Sequence, residues 1–158
     1  MFAHRIFTFG SIVFTVLLTL SAEQATAQTR QPGWTVDAQS GCRVWNPSPE
    51  PEDSVKWEGP CVNGFAEGKG VLRWYSIGNH YETDEGEFRE GKLNGFAILT
   101  WTSGRRFEGM WRDQKPNGQG TLRTSDGEVY TGEWRNGCFK QGNRLAVQDA
   151  TMQECGFQ

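Results

Sequence analysis

The chain has 158 residues and a formal net charge of −3, with 22% charged and 36% hydrophobic residues. That length holds one small domain, and the acidic balance disfavours generic nucleic-acid binding. Twenty glycines beside 7 Trp, 10 Phe and 3 Tyr exclude a conventional aliphatic globule and point to a thin fold whose core is built from rings.

Met1 to Arg5 is a short, weakly basic start, Ile6 to Leu20 is a mostly apolar run of 15 residues, and Ala25-Thr26-Ala27 has the small-x-small form of a cleavage site. Fifteen residues at about 1.5 Å each fall short of a hydrocarbon core of roughly 30 Å. The segment 1–27 is therefore read as a removable signal peptide rather than an anchor, with Gln28 as the mature N-terminus and a periplasmic or secreted location. Its removal takes away Arg5 and Glu23 and keeps the net charge at −3; the remaining 16 aromatic residues outnumber the 14 Leu, Ile and Val together. Cys42, Cys61, Cys138 and Cys155 all follow that segment, an even count that reads as disulfides in an exported small domain. Their spacings match no zinc-ligand pattern, and His80 is the one histidine beyond the signal.

From Val55 onward a period of 23 residues organises the chain. Aromatic-x-Gly-x-aromatic occurs at Phe107, Gly109, Trp111 and again at Tyr130, Gly132, Trp134; the frame reaches back to Gly86 and Phe88, then after a longer step to Trp57 and Gly59. Within each unit a second signature follows: Asn63-Gly64 with Gly68, Gly70, Leu72 and Trp74; Asn94-Gly95 with Ala97, Leu99 and Trp101; Asn117-Gly118 with Gly120 and Leu122. Alternation of period 2 around short Asn/Gly-rich segments predicts one β-hairpin per unit. Ser103-Gly104 and Ser125-Asp126-Gly127 link one hairpin to the next, giving a continuous antiparallel meander. Parity puts Phe107, Gly109, Trp111 and Leu122 on one face and Glu108, Met110, Arg112, Thr121 and Arg123 on the other. Glycines between aromatics make room for rings of neighbouring strands, and each hairpin must lean on the next.

The run Tyr130-Thr131-Gly132-Glu133-Trp134-Arg135-Asn136-Gly137, with Gly118-Gln119-Gly120-Thr121-Leu122 before it, resembles the MORN (membrane occupation and recognition nexus) repeat. Four such units fill residues 55–142, and Cys42-Arg43-Val44-Trp45-Asn46-Pro47 resembles the leading region of exported bacterial MORN proteins. The resemblance implies an all-β protein, an elongated single antiparallel sheet of tandem hairpins without intrinsic catalysis. Family members associate with membranes, with partner proteins or with further copies of themselves. Cys61 and Asp84 stand where aromatics belong, Gln114 stands where a Gly belongs, and the fourth unit lacks its closing Gly-x-Gly-x-Leu run. Residues 28–54 are then an N-terminal linker and cap and 143–158 a C-terminal cap and tail. Cys61 and Cys138 lie at opposite ends of the array, roughly 30 Å apart, whereas bridged Cα atoms sit within about 7 Å. The local pairs Cys42–Cys61 and Cys138–Cys155 are expected, stapling both ends.

Other chemistry finds little footing. Gly64-Phe65-Ala66-Glu67-Gly68-Lys69-Gly70 has one residue too few for a phosphate loop and no Ser or Thr after the lysine. The run Glu82, Thr83, Asp84, Glu85, Glu87 lacks the spacing of a calcium loop and reads as a solvated acidic insertion. His80 has no nucleophile motif near it and reads as a surface turn residue, and no two of the many glutamates stand out as a catalytic pair. No cofactor, metal or nucleic acid is expected. Arg89, Arg112 and Arg135 are different: they recur at one repeat position on the face opposite the aromatics, with steps near 10 Å, either as a grip for an anionic partner or as partners of Glu87, Glu108 and Glu133. The functional expectation is a non-catalytic interaction or assembly module of the cell envelope, binding an envelope protein or a second copy of itself. The alternative is contact with an envelope surface, lipid headgroups at the arginine column or glycan rings stacked on Trp74 and Trp101.

Overall fold

Period-2 alternation gives strands throughout the computed structural model, which describes residues 32–157; the expected signal peptide and the Gln28 terminus lie outside the described residues. Thirteen strands follow one another: β1 (Gly33–Val36), β2 (Arg43–Asn46), β3 (Asp53–Glu58), β4 (Cys61–Val62), β5 (Phe65–Ala66), β6 (Gly68–Ser76), β7 (Asn79–Arg89), β8 (Lys92–Trp101), β9 (Arg106–Arg112), β10 (Lys115–Arg123), β11 (Val129–Arg135), β12 (Cys138–Gln141) and β13 (Arg144–Val147). No helix occurs among the described residues. Nine strands, β3 and β6 to β13, form one antiparallel sheet in which each of β6 to β13 lies beside its sequence neighbour. At about 4.8 Å per strand the sheet is about 38 Å wide. The expected all-β meander of hairpins is present, joined by a small second sheet in the order β1-β2-β5-β4 that contains one parallel pair, Arg43 opposite Phe65.

The hairpin tips sit elsewhere than Asn94-Gly95 and Asn117-Gly118, which lie inside β8 and β10. The chain reverses instead at Glu90-Gly91, Asp113-Gln114 and Asn136-Gly137, where both residues of each pair have φ between 47° and 83°. Two central residues at positive φ make the type I′ turn, whose twist matches that of the flanking strands. The displaced Asn-Gly pairs mark register shifts opposite Gly86–Phe88 and at Pro116–Gly120. The extra residues of the longer step from Gly59 to Gly86 do not form a loop. They lengthen β6 and β7 to 9 and 11 residues around a tip at Ile77-Gly78.

One face of the sheet holds the core: Trp57, Leu72, Trp74, Phe88, Leu93, Leu99, Phe107, Trp111, Leu122, Trp134 and Phe139 are all buried. Phe107 sits edge-on to both Trp111 and Trp134, with centroids 5.2 Å apart in each case. Glycines make that spacing possible. A Cβ on Gly70 would lie 2.2 Å from the Trp57 ring, and one on Gly120 would lie 2.7 Å from Phe107 and 3.1 Å from Trp134.

Successive tips are tied together along the array. The backbone N–H of Gly91 donates to the Ala66 carbonyl, Gln114 to Leu93 and Gly137 to Pro116, at 2.9–3.0 Å. Gln114, which replaces the expected glycine, is buried, and its Oε1 accepts the Leu93 N–H at 2.9 Å. The side chain thus serves the backbone of the preceding tip.

Both ends are closed. Cys42 is bonded to Cys61 and Cys138 to Cys155, with Cα separations of 5.9 and 5.6 Å. At the β3 edge the buried Asp37 carboxylate accepts the Trp57 N–H and the Ser40 hydroxyl. Burial pushes the Asp37 pKa up, but these donors and the Gln39 N–H outweigh it and hold it below the usual carboxylate range. The paired substitution Cys138→Ser with Cys155→Ser opens a closed stretch with a sequence separation of 17, and it is expected to cost about 3 kcal/mol. A urea unfolding curve measures the loss.

Candidate functional site

Strand alternation next to a two-residue turn dictates where the arginine column stands. Arg89, Arg112 and Arg135 are the last residues of β7, β9 and β11, each following a buried aromatic, Phe88, Trp111 or Trp134, and each preceding an I′ tip. All three are exposed. Their strands are second neighbours in the sheet, so the steps stay near 10 Å. Lys92 and Lys115 face Arg89 and Arg112 across the tips, Lys115 in an ion pair with Glu154 at 3.2 Å, so cations outnumber the tip acids Glu90 and Asp113 along this edge of the sheet.

The glutamates expected as cross-strand partners of the column, Glu87, Glu108 and Glu133, are otherwise engaged. Glu87 lies 3.8 Å from Lys69, Glu108 pairs with Arg106, and the Glu133 carboxylate accepts from Gln119 Nε2 at 2.8 Å. Among the described residues, Arg89, Arg112 and Arg135 take part in no ion pair.

The small N-terminal sheet turns part of this edge into a groove. Arg89, Lys92 and Arg112 line a cleft of about 770 Å³ together with Trp34, Val62 and Phe65. Trp34 is 42% exposed and sits edge-on to Trp45 and Phe65, both with centroids 5.0 Å away, while the Arg43 guanidinium lies 3.9 Å over the Phe65 ring. Gly91 permits the closure, because a Cβ there would come within 2.7 Å of the Arg43 carbonyl and 2.8 Å of Trp34. The floor also carries Glu67, Glu90 and Asp113, and Glu67 is used to accept the Glu90 N–H at 2.9 Å. Arg135 is not in this groove. It borders a smaller one of about 390 Å³ with Glu133, Lys140 and Phe157. Sequence reasoning missed Trp34, Phe65 and Lys92; the aromatic residues of the leading segment were the available signal.

The stacking surface expected at Trp74 is corrected. Trp74 is 4% exposed, and its Nε1–H donates to Asp84 Oδ2 at 2.9 Å. Trp101 is half-buried, and the Arg105 guanidinium lies 4.6 Å from its ring centre. Neither offers an open ring face to a glycan.

The acidic run at Glu82–Glu87 is corrected too. It is part of β7, and alternation sends Glu82 and Asp84 inward and Thr83 and Glu85 outward. Asp84 is 1% exposed. Burial pushes its pKa up to about 7, against the opposing pull of Trp74 and Glu82. Burial and the neighbouring Asp84 push Glu82 up to about 10, and burial pushes Asp149 up to about 6 despite Arg105 nearby. Arg105 Nη2 in turn donates to Gln148 Oε1 at 2.5 Å. This polar cluster fills the space that an aromatic would take at position 84.

His80 lies on the surface, its Nε2 2.8 Å from the Thr83 hydroxyl. Phe65–Ala66 and Gly68 onward are the strands β5 and β6 rather than a loop ahead of a helix. Among the described residues, no group of three or more His, Cys, Asp or Glu is placed to hold a metal ion.

The MORN repeat family model matches residues 62–76, 85–105, 107–129 and 130–137, which supports the MORN family for the array. Such repeats are generally modules of protein or membrane interaction and generally non-catalytic. A comparison with curated proteins finds no match.

Proposed function

We propose, from an array of MORN repeats, that the protein is a non-catalytic interaction and assembly module of the cell envelope, of the exported bacterial type, which grips an anionic partner protein along its basic edge. The observation that carries this reading is the set of three exposed arginines at one repeat position, without ion pairs among the described residues, while Glu87, Glu108 and Glu133 are engaged elsewhere. Arg89 and Arg112 act in the groove beside Trp34 and Phe65, and Arg135 extends the contact. The two disulfides are compatible with a periplasmic or secreted location, as is the finding that no helix among the described residues is long and apolar enough to cross a membrane. Residues 28–54 and 143–158 serve as caps around the array.

The test replaces Arg89, Arg112 and Arg135 together by serine. Exposed charges without partners contribute little to folding, so the melting temperature stays nearly unchanged. Crosslinked capture of envelope proteins falls, and what remains loses its sensitivity to salt. Unchanged capture removes the arginine edge as the partner surface; loss of folding shows that the column is structural. Vesicles containing anionic lipid and isolated cell-wall glycan form the parallel arm for the envelope-surface alternative. Retention on vesicles that the triple substitution abolishes would favour that alternative.

A further inference from the structure

The opposite broad face of the sheet carries a second feature, away from the basic edge. At two repeat positions on this face one unit carries an apolar residue where the units on either side carry polar ones. Phe96 stands where the neighbouring units have Lys69 and Gln119, and Met110 stands where they have Glu87 and Glu133. Ile98 corresponds to Val71 in one unit and Thr121 in the other. The register brings these departures together: Phe96 is directly opposite Met110, and Ile98 is one pleat from Phe96 on the same face. Val71, Glu85, Ile98 and Glu108 form one row across β6, β7, β8 and β9.

This is a patch rather than a scatter of single apolar residues. Phe96 is 50% exposed and Met110 42% exposed, with Val71 and Ile98 half-buried beside them. Val71, Phe96 and Ile98 line a groove of about 520 Å³ with Lys69, Glu85 and Glu87. Contiguous exposed apolar surface of this kind, rimmed by polar groups, marks a place of contact. Its rim is acidic. Glu85 is exposed and has no ion-pair partner among the described residues, and Glu87 has only Lys69 at 3.8 Å.

We propose that the outer face of β6 to β9 is a docking surface for a cationic amphipathic segment of a partner protein, which seats apolar side chains on Phe96, Met110, Ile98 and Val71 and places lysine or arginine against Glu85 and Glu87. Charge complementarity selects this occupant: an anionic bilayer would meet the carboxylates with like charge, and a second copy docked by the same patch would set Glu85 and Glu87 against their equivalents. The site is separate from the arginine edge, so the two can succeed or fail independently.

The test uses the purified protein and two fluorescein-labelled synthetic peptides of equal length, one alternating leucine with lysine and one alternating leucine with glutamate, read by polarisation. The lysine peptide binds, and the glutamate peptide does not. Phe96→Ser with Met110→Ser weakens binding about tenfold or more, and so does Glu85→Gln with Glu87→Gln. The second pair leaves the apolar patch and the packed core intact, so it stays informative if the first pair disturbs folding. The proposal is overturned if neither peptide binds, if both bind equally, or if the glutamine pair binds as tightly as the unmodified protein. It is also overturned if sedimentation reveals a dimer that Phe96→Ser with Met110→Ser dissociates, or if anionic vesicles are retained by the patch.

Discussion

Replacing Trp134 by alanine lowers the stability of the protein by about 3 to 5 kcal/mol. Trp134 is fully buried, its ring stands edge-on to Phe107 at 5.2 Å and tilted against Phe139 at 5.3 Å, and its Nε1–H donates to the Gly120 carbonyl at 3.2 Å. It therefore joins β9, β10 and β12 through one side chain. A small domain typically has about 5–15 kcal/mol to lose, and a single sheet has no second layer to collapse into the void. The hairpins from β9 onward should unfold as a unit, because each leans on its neighbours. Trp111, 2% exposed and 5.2 Å from Phe107, belongs to the same class, with about 3 to 5 kcal/mol expected for its alanine variant. The adjacent Arg135→Ser, on the exposed face, changes stability by only about 0.5 kcal/mol. Urea unfolding followed by tryptophan fluorescence for the W134A and R135S variants tests the contrast, and equal midpoints would refute the sidedness of the sheet.

Stability falls as pH rises from about 4 to neutrality, and Asp84→Asn flattens that fall. Glu82, Asp84 and Asp149 have folded-state pKa values raised to about 10, 7 and 6. Each holds its proton more tightly in the folded chain than in the unfolded one, so the native state binds more protons and stability declines with pH. The contribution is fully present below the ordinary carboxylate value and is lost as pH climbs through about 6 for Asp149 and 7 for Asp84, continuing toward 10 for Glu82. Asp37, with its pKa lowered, acts in the other sense and loses its contribution in acid. Maximum stability is therefore expected near pH 4 to 5. Asparagine at position 84 keeps an oxygen for the Trp74 N–H and cannot ionise, so the variant melts higher than the unmodified protein at pH 8 and at nearly the same temperature at pH 4. A wild-type melting temperature that rises steadily from pH 4 to 8 would reverse the sign of this argument.

The local regularities of this chain are legible in its residues alone. The 23-residue period, the alternation of Phe107, Gly109, Trp111 against Glu108, Met110, Arg112, and the exposure of Arg89, Arg112 and Arg135 all follow from strand periodicity, which depends only on near neighbours. The array geometry likewise made the local disulfides the shortest solution. The tips were less legible, because Asp113-Gln114 turns with no glycine, held by a hydrogen bond from Leu93 in the preceding unit. Tertiary structure alone decided the rest. Alternation already sets Asp84 and Glu82 on the side of Phe88, but a run of acids looks solvated, and it is the pairing of β7 with β6 and β8 that covers them with Trp74 and Trp101. The groove at Arg89 and Arg112 exists because β2 pairs with β5 and brings Trp34 over the tip at Gly91. The approach of Trp34 to the tip at Gly91 joins segments more than 50 residues apart in sequence, and no local pattern encodes it: burial is a property of what the rest of the chain brings alongside, whereas sidedness is a property of the strand itself.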